Sequence, residues 1–272
     1  MNRAFLLIFT FLLIAFSSIV YIPQSYGQIE TQEPEVEPKP DPVTLTDKGL
    51  SKGMAFNFSV TNFGFSGGAN YRHVIGPMTE LVANLKFGSV RDPSEQTFTT
   101  FFGQQIIPNK FRRGIAIPLT VGLKRRIFAH AIEDNFRLYV SGDGGAAFTL
   151  LIPYFEDQNG DGIRNLGRQF FGEQDAVVEP VNDFFQGWSD ANMEIGTTGN
   201  IAIGADFGDE FSRIITLEFG FNFFYYPQGI QILEPNRFDP DSPANNIRII
   251  DANPPKKFFA TPQISLMFGG MW

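Results

Sequence analysis

A period-two alternation of apolar and polar residues constrains this chain more than any other feature. It recurs from Gly53 to the C-terminus in segments of about ten residues separated by turn residues. Between Ile214 and Tyr226, the residues Ile215, Leu217, Phe219, Phe221, Phe223 and Tyr225 share one face, opposite Thr216, Glu218, Gly220 and Asn222. A helix would scatter those apolar side chains round its circumference, so the segment is a strand. Six large apolar residues in succession on one face is long for a soluble sandwich. The length suits a tilted strand that crosses a bilayer.

Other segments follow the same grammar. Leu81, Ala83, Leu85 and Phe87 oppose Glu80, Asn84, Lys86 and Gly88. Ile115, Ile117, Leu119, Val121 and Leu123 oppose Ala116, Thr120, Gly122 and Lys124. Leu138, Val140, Gly142, Gly144 and Ala146 oppose Arg137, Tyr139, Ser141 and Asp143. Ile195, Ile201, Ile203 and Phe207 oppose Glu194, Gly196, Thr198, Asn200 and Asp206. Two less regular strands, near 53–61 and 65–75, come first, and a last one runs from Lys257 to Trp272, which makes eight. Short links at Gly76–Met78, Phe128–Asn135 and Gly208–Ser212 alternate with long ones near 91–112, 155–191 and 227–255; a link near Asn62–Gly64 is also short. Short turns on one side and long loops on the other are the pattern of bacterial outer-membrane barrels. The expected fold is all-β, an eight-stranded antiparallel transmembrane up-and-down barrel over 53–272. An even strand count places both barrel termini on the short-turn, periplasmic side, with the long loops outward.

Composition agrees. Phe occurs 31 times and Gly 27 times, and a wall facing lipid can hold more Phe than a water-soluble core. Mean hydropathy is only −0.07, which rules out a polytopic helical membrane protein. Cysteine is absent, so disulfides, thiolate metal sites and a lipoprotein anchor are excluded. A net charge of −8 argues against a nucleic-acid partner. Acidic outward loops would account for it.

The N-terminus reads as an export signal over 1–27. Arg3 precedes an apolar run from Ala4 to about Ile22, and Ser25-Tyr26-Gly27 offers small residues at the −3 and −1 positions of a cleavage site. An uncleaved membrane helix is the alternative, since the run is nearly long enough to span. Residues 28–52, rich in Pro and Glu, read as an extended periplasmic linker with little to bury.

In pattern, residues 53–272 resemble the small outer-membrane β-barrels of the OmpA/OmpX type. The segments Ile117-Pro118-Leu119-Thr120-Val121-Gly122-Leu123 and Gly204-Ala205-Asp206-Phe207 look like strands of that family. The end of the chain, with Ile264, Leu266 and Phe268 at alternate positions and Trp272 last, looks like its C-terminal assembly signal. The resemblance implies outer-membrane lipid as surroundings and the barrel-assembly machinery as a partner during insertion. No residues follow Trp272, so the family's peptidoglycan-binding domain is not expected here.

On this register Glu80, Lys86, Lys124, Arg126, Arg137, Asp143, Glu194, Asp206 and Glu218 face the lumen. Eight strands leave an interior that side chains just fill, so those charges must pair. A packed salt-bridge network is favoured over an ion-selective pore, with Asp143 or Glu218 as the expected partner of Arg137. Asp157, Asn159 and Asp161, followed by Gly162, match the first half of a calcium loop with Asn165 ninth. The twelfth position is Arg168, where a bidentate carboxylate belongs, although Glu156 or Glu173 lies nearby. A polar turn is the plainer reading. No other cofactor is expected. Only His73 and His130 are present, both toward the periplasmic end, and no catalytic or phosphate-binding motif occurs, so the chain is not expected to be an enzyme. Aromatic residues near strand ends (Tyr154, Phe155, Phe224, Tyr225, Tyr226, Phe258 and Trp272) suggest interfacial girdles or, on the loop side, a carbohydrate platform. The expected role is structural, or an interaction with an unidentified surface partner through the loops. A narrow channel for small or apolar solutes is the alternative.

Overall fold

A computed structural model describes residues 41–99, 103, 105–165, 179–183, 185–243 and 248–272. The export signal 1–27 and the linker as far as residue 40 lie outside the described residues. The strands are β1 (Lys52–Thr61), β2 (Gly64–Gly76), β3 (Thr79–Val90), β4 (Phe98–Thr99), β5 (Gln105–Ile106) and β6 (Arg112–Arg126). They are followed by β7 (Phe136–Pro153), β8 (Asn192–Phe207), β9 (Arg213–Ile230), β10 (Asn236–Phe238), β11 (Ile249–Asp251) and β12 (Lys256–Met271). Eight of them close into a barrel in the order β1-β12-β9-β8-β7-β6-β3-β2, every neighbouring pair antiparallel. Closure leaves no unpaired edge, which is what a sheet needs in a medium without water. The two-residue ribbon β4–β5 and the ribbon β10–β11 are additions within long loops.

The pleat sends alternate side chains outward, where large apolar residues stand exposed. On β9 these include Ile215, Phe219, Phe221 and Tyr225; on β12, Phe258, Ile264, Leu266 and Phe268; on β1, Met54, Phe56 and Phe58. From Ile215 to Tyr225 the chain makes ten rises of about 3.3 Å, or about 25 Å along the barrel axis at a tilt near 40°. That matches the height of an outer-membrane hydrophobic band. Inward positions on the same strands carry Thr216, Glu218, Thr261, Gln263 and Ser265, all buried. Among the described residues no helix is long and apolar enough to cross a membrane; the crossing is made by strands.

Both ends of the barrel are closed. At the short-turn end residues 41–51, read from composition as part of an extended linker, fold under the barrel. Leu45 and Leu50 pack on Ala55, Ile214, Met267 and Met271. Asp134 accepts from the Val43 amide (3.1 Å) and Arg126 (2.6 Å), and Arg126 also donates to the Val43 carbonyl (3.0 Å). At the long-loop end, strands β7 and β9 extend to Pro153 and Ile230, beyond the lengths read from sequence. Their inward residues meet in an apolar cluster that includes Phe63, Leu151, Phe224, Tyr226, Ile230 and Phe259. Tyr226 shares a 2.7 Å hydrogen bond with Thr149 there.

This cap revises the aromatic assignments. Tyr154, Phe155, Phe224 and Tyr226 are buried, whereas Tyr225, Phe258 and Trp272 are exposed on the outer face. Successive positions on one strand point to opposite faces, so Phe224, Tyr225 and Tyr226 cannot share a girdle.

Candidate functional site

The lumen between the two closures is the most chemically dense part of the molecule. Its centre is Arg72 on β2, 2% exposed. The guanidinium donates to Asp206 (3.2 Å), to Asn70 (2.9 Å) and to Thr216 (3.0 Å). Lys124, on β6 and midway round the wall between Arg72 and Asp206, donates to the other oxygen of Asp206 (2.5 Å) and lies 3.4 Å from its register partner Glu80. Thr216 donates its hydroxyl to Asp206 (2.5 Å). Two cations and two anions thus form one electrically neutral layer across the barrel. Tyr139 backs it: the Lys124 ammonium sits 4.1 Å from the ring centroid. The Tyr139 hydroxyl donates to Glu218 (2.9 Å). The ring can lie across the wall because its register partner is Gly204, where a Cβ would come within 2.6 Å of the ring.

Nearer the long loops the lumen changes from ion pairs to amides and hydroxyls. Asp143 accepts from Asn84 and Asn200, both at 3.3 Å. Lys86 donates to Gln263 (3.2 Å), which also accepts from Asn222. Ser59 bonds Asn57 (2.6 Å) and Ser265 (2.8 Å). The space left is small. Cavities of about 40, 10 and 30 Å³ lie in sequence along the lumen, each with room for at most a few waters.

The nine lumen charges read from sequence therefore separate into groups. Glu80, Lys124 and Asp206 belong to the ion-paired layer, together with Arg72. Lys86, Asp143 and Glu218 are held by neutral partners and make no ion pair among the described residues. Arg126 ties down the N-terminal segment at the short-turn mouth. Arg137 pairs with neither Asp143 nor Glu218. It donates to the carbonyls of Asp134 (2.7 Å) and Gly208 (2.6 Å) and lies over the Phe211 ring at 4.3 Å. Its position at the first turn of β7 leaves Asp143, six residues further up the strand, out of reach. Glu194 lies on β8 toward the long-loop end, opposite Thr149, and makes no ion pair among the described residues. Arg72 escaped the sequence reading because glycines and polar residues blur the alternation in β2. The signal present was Asn70 and Arg72 at spacing two.

The calcium-loop residues form a tight turn. Asp157 accepts from the Gly162 amide (2.9 Å), Asp161 from the Ile163 amide (2.8 Å), and Asn159 bonds Asp161 (2.8 Å). Arg168 and Glu173 lie outside the described residues. Among the described residues no three His, Cys, Asp or Glu side chains could hold a metal ion. Buried Glu179 holds this loop together by accepting from the amides of Gln158 (2.9 Å) and Asn165 (2.8 Å), and Glu234, in the loop after β9, accepts from the Arg164 amide (3.1 Å) and joins the two loops. Burial pushes the Glu234 carboxyl up to about 7, with Asp161 and Glu179 adding to the shift against the Arg164 amide and charge. His73 stands at the short-turn end of β2 and His130 is exposed in the turn before β7. The assembly-signal residues Ile264, Leu266, Phe268 and Trp272 all lie exposed on the outer face.

No protein-family model matches the sequence, and no curated protein matches it. Solved structures do. The N-terminal β-barrel domain of Pseudomonas aeruginosa OprF is 10% identical over 80% of this chain and 96% of that one, with a TM-score of 0.36. Neisserial surface protein A (NspA) is 7% identical over 82% and 96%, at 0.35. Ail, the attachment invasion locus protein of Yersinia pestis, is 10% identical over 82% and 97%, also at 0.35. Strand number, closure and the outward apolar band make the described fold a closed, eight-stranded antiparallel transmembrane barrel.

Proposed function

We propose that this chain is an outer-membrane protein whose barrel is a closed anchor and whose long loops act at the cell surface. One observation carries the reading: the lumen is blocked in three successive layers. Leu45 and Leu50 underlie the short-turn mouth, the Arg72–Asp206–Lys124–Glu80 layer crosses the middle, and the Phe224–Tyr226–Phe259 cluster caps the far end. A solute would have to displace an apolar floor, break a desolvated ion-pair layer and part an apolar cap. Each of these steps opposes flow. By contrast, the loops are built up with ribbons and cross-links, such as the Lys110–Leu233 bridge and the Lys256–Asp92 ion pair at 2.6 Å. Ordering a loop costs conformational entropy that a mere connection would not need.

Planar-bilayer recording tests the proposal. The refolded protein should insert without large, stable, ohmic conductance. Steady conductance steps from the unaltered chain would overturn the anchor reading in favour of a narrow channel.

A further inference from the structure

The short-turn mouth is crossed by a segment, residues 43–51, that belongs to no strand and is fastened on opposite walls. At one end the Ser51 and Lys52 amides donate to the Trp272 carbonyl (2.9 and 3.0 Å), and the Val74 amide donates to the Ser51 carbonyl (2.9 Å). At the other, the Val43 amide donates to Asp134 (3.1 Å), and Arg126 donates to both the Val43 carbonyl (3.0 Å) and Asp134 (2.6 Å). Asp134 stands in the turn just before β7. Strand β7 lies four places from β1 either way round the ring, which is the far side of an eight-stranded barrel.

Between those points the segment is bonded to itself. The Thr44 amide and hydroxyl donate to Asp47 (2.9 and 2.7 Å), the Leu50 amide to the Leu45 carbonyl (2.9 Å) and the Gly49 amide to the Thr46 carbonyl (3.0 Å). Gly49 has φ of 71°, which glycine adopts without strain and which lets the turn close. Among the described residues none of 44–50 makes a hydrogen bond to the barrel; Leu45 and Leu50 rest half-buried on Ala55, Ile214, Met267 and Met271. A permanent floor would be fastened along its length. A compact turn with few outside contacts opens as a unit at low cost.

Behind Thr44 and Leu45 lies the cavity of about 30 Å³ at the base of the lumen. In its lining Arg72, Lys124, Arg126 and Arg137 outnumber Glu80 and Asp206. We propose that residues 43–50 are a hinged latch, with Ser51 as hinge and the Arg126–Asp134 pair as catch, whose release opens this cationic chamber to anionic groups from the short-turn side. The Asp134 side chain is 32% exposed, so water can replace the bonds of the catch. The ion-paired layer and the apolar cap stay in place on release, so the latch opens a chamber and not a pore.

The chain has no cysteine, so a single one can be placed under the latch. Full-length Ile214→Cys protein, refolded in detergent, should react slowly with a negatively charged methanethiosulfonate, because Ile214 is 2% exposed. Adding Asp134→Ala should speed that reaction about tenfold or more, while Glu133→Ala, at the neighbouring exposed position, should leave it unchanged. In the Asp134→Ala protein the negatively charged reagent should outpace a positively charged one by more than it does in the same protein unfolded in urea. Gel mobility without heating confirms that each variant is a folded barrel. A cysteine at Ser141, above the ion-paired layer, should stay unreactive in the Asp134→Ala background. An unchanged rate in Asp134→Ala, equal acceleration by Glu133→Ala, or parallel labelling at Ser141→Cys, which would mean general loosening, would each overturn the latch. Fast labelling of Ile214→Cys with the catch intact would show that the segment covers nothing. Preference for the positively charged reagent would overturn the chemistry assigned to the chamber.

Discussion

Asp206→Asn is the most informative perturbation of the lumen. The substitution keeps shape but removes the charge that neutralises both Arg72 at 3.2 Å and Lys124 at 2.5 Å. At an effective dielectric constant of about 20, contacts of that length are each worth about 5–7 kcal/mol before the cost of desolvation is set against them. Removing one partner from such a set usually costs about 3–5 kcal/mol, because the remaining charges stay buried. Glu80, 3.4 Å from Lys124, gives that ammonium a second anion. Among the described residues Arg72 has no other carboxylate within ion-pair distance; its remaining hydrogen-bond partners are Asn70, Thr216 and Met267. The loss therefore falls on Arg72, and we expect about 3 kcal/mol, the lower end of that range. Adding Lys124→Met should recover part of it, with a coupling of about 0.5–3 kcal/mol, since the double variant carries one fewer unbalanced cation. Urea unfolding in lipid vesicles, followed by tryptophan emission and by gel mobility without heating, measures both quantities. A loss below about 1 kcal/mol, the scale of an exposed pair, would refute the idea of a desolvated layer. Full additivity of the two substitutions would refute the pairing itself.

The same unfolding assay should show Phe221→Arg costing about 2–4 kcal/mol if the residue meets lipid near the midplane, and Asn222→Arg costing less; equal costs would mean that the faces are reversed. Arg137→Ala should cost about 1–3 kcal/mol through two lost charge-assisted hydrogen bonds to carbonyls. No second substitution at Asp143 or Glu218 should restore that loss, and restoration would show an ion pair. Replacing Trp272 with Asp should impair assembly, with protein degraded or held in the periplasm; heat-modifiable barrel in the outer membrane at normal levels would remove the assembly-signal assignment. Because folding raises the Glu234 carboxyl to about 7 from a usual 4.5, the junction between the loops is most stable below about pH 4.5 and weakens as pH rises through 7. Amide exchange at Arg164 should follow that profile and lose it in Glu234→Gln; an unchanged profile would place the titration elsewhere.

The barrel was legible in the sequence where lipid imposes a strict alternation. On β9, Ile215, Phe219, Phe221 and Tyr225 face out and Thr216 and Glu218 face in, because a one-residue slip would put Glu218 into the bilayer. The three short turns at 77–78, 127–135 and 208–212 fall where the sequence places them, since they join strands whose ends lipid defines. Beyond the bilayer that constraint vanishes. Tyr226 follows the same pleat as Phe224, yet both enter an apolar cap, because the long loops give inward aromatic side chains something to pack against. Loop packing brings together residues far apart in the chain, such as Glu179 with Gln158 or Glu234 with Arg164, and no local pattern announces them.

The lumen shows where pattern stops short of partnership. Strand register gives the face of a charge with confidence, but a partner depends on height along the axis and on which neutral groups compete. Arg137 faces inward, but it sits at the turn, where unpaired carbonyls of Asp134 and Gly208 are nearer than any carboxylate. Asp143 faces inward at mid-height, where Asn84 and Asn200 offer donors without bringing a second charge out of water. Satisfying a buried carboxylate with amide donors avoids desolvating a second ion, and the barrel uses that solution wherever Asn, Ser, Thr and Gln line the wall. Among the described residues, ion pairing between one barrel strand and another is confined to the level of Arg72, whose long side chain crosses to Asp206 on the opposite wall. A sequence rule that counts inward charges and pairs them off thus overestimates ion pairs and misses the residue around which the real layer is built. The absence of pairing at Lys86 has a consequence of its own. With Gln263 its only hydrogen-bond partner among the described residues, Lys86→Met should cost less than Asp206→Asn in the same unfolding assay. A larger cost would move the centre of the lumen's stability from the ion-paired layer to the amide-lined half above it.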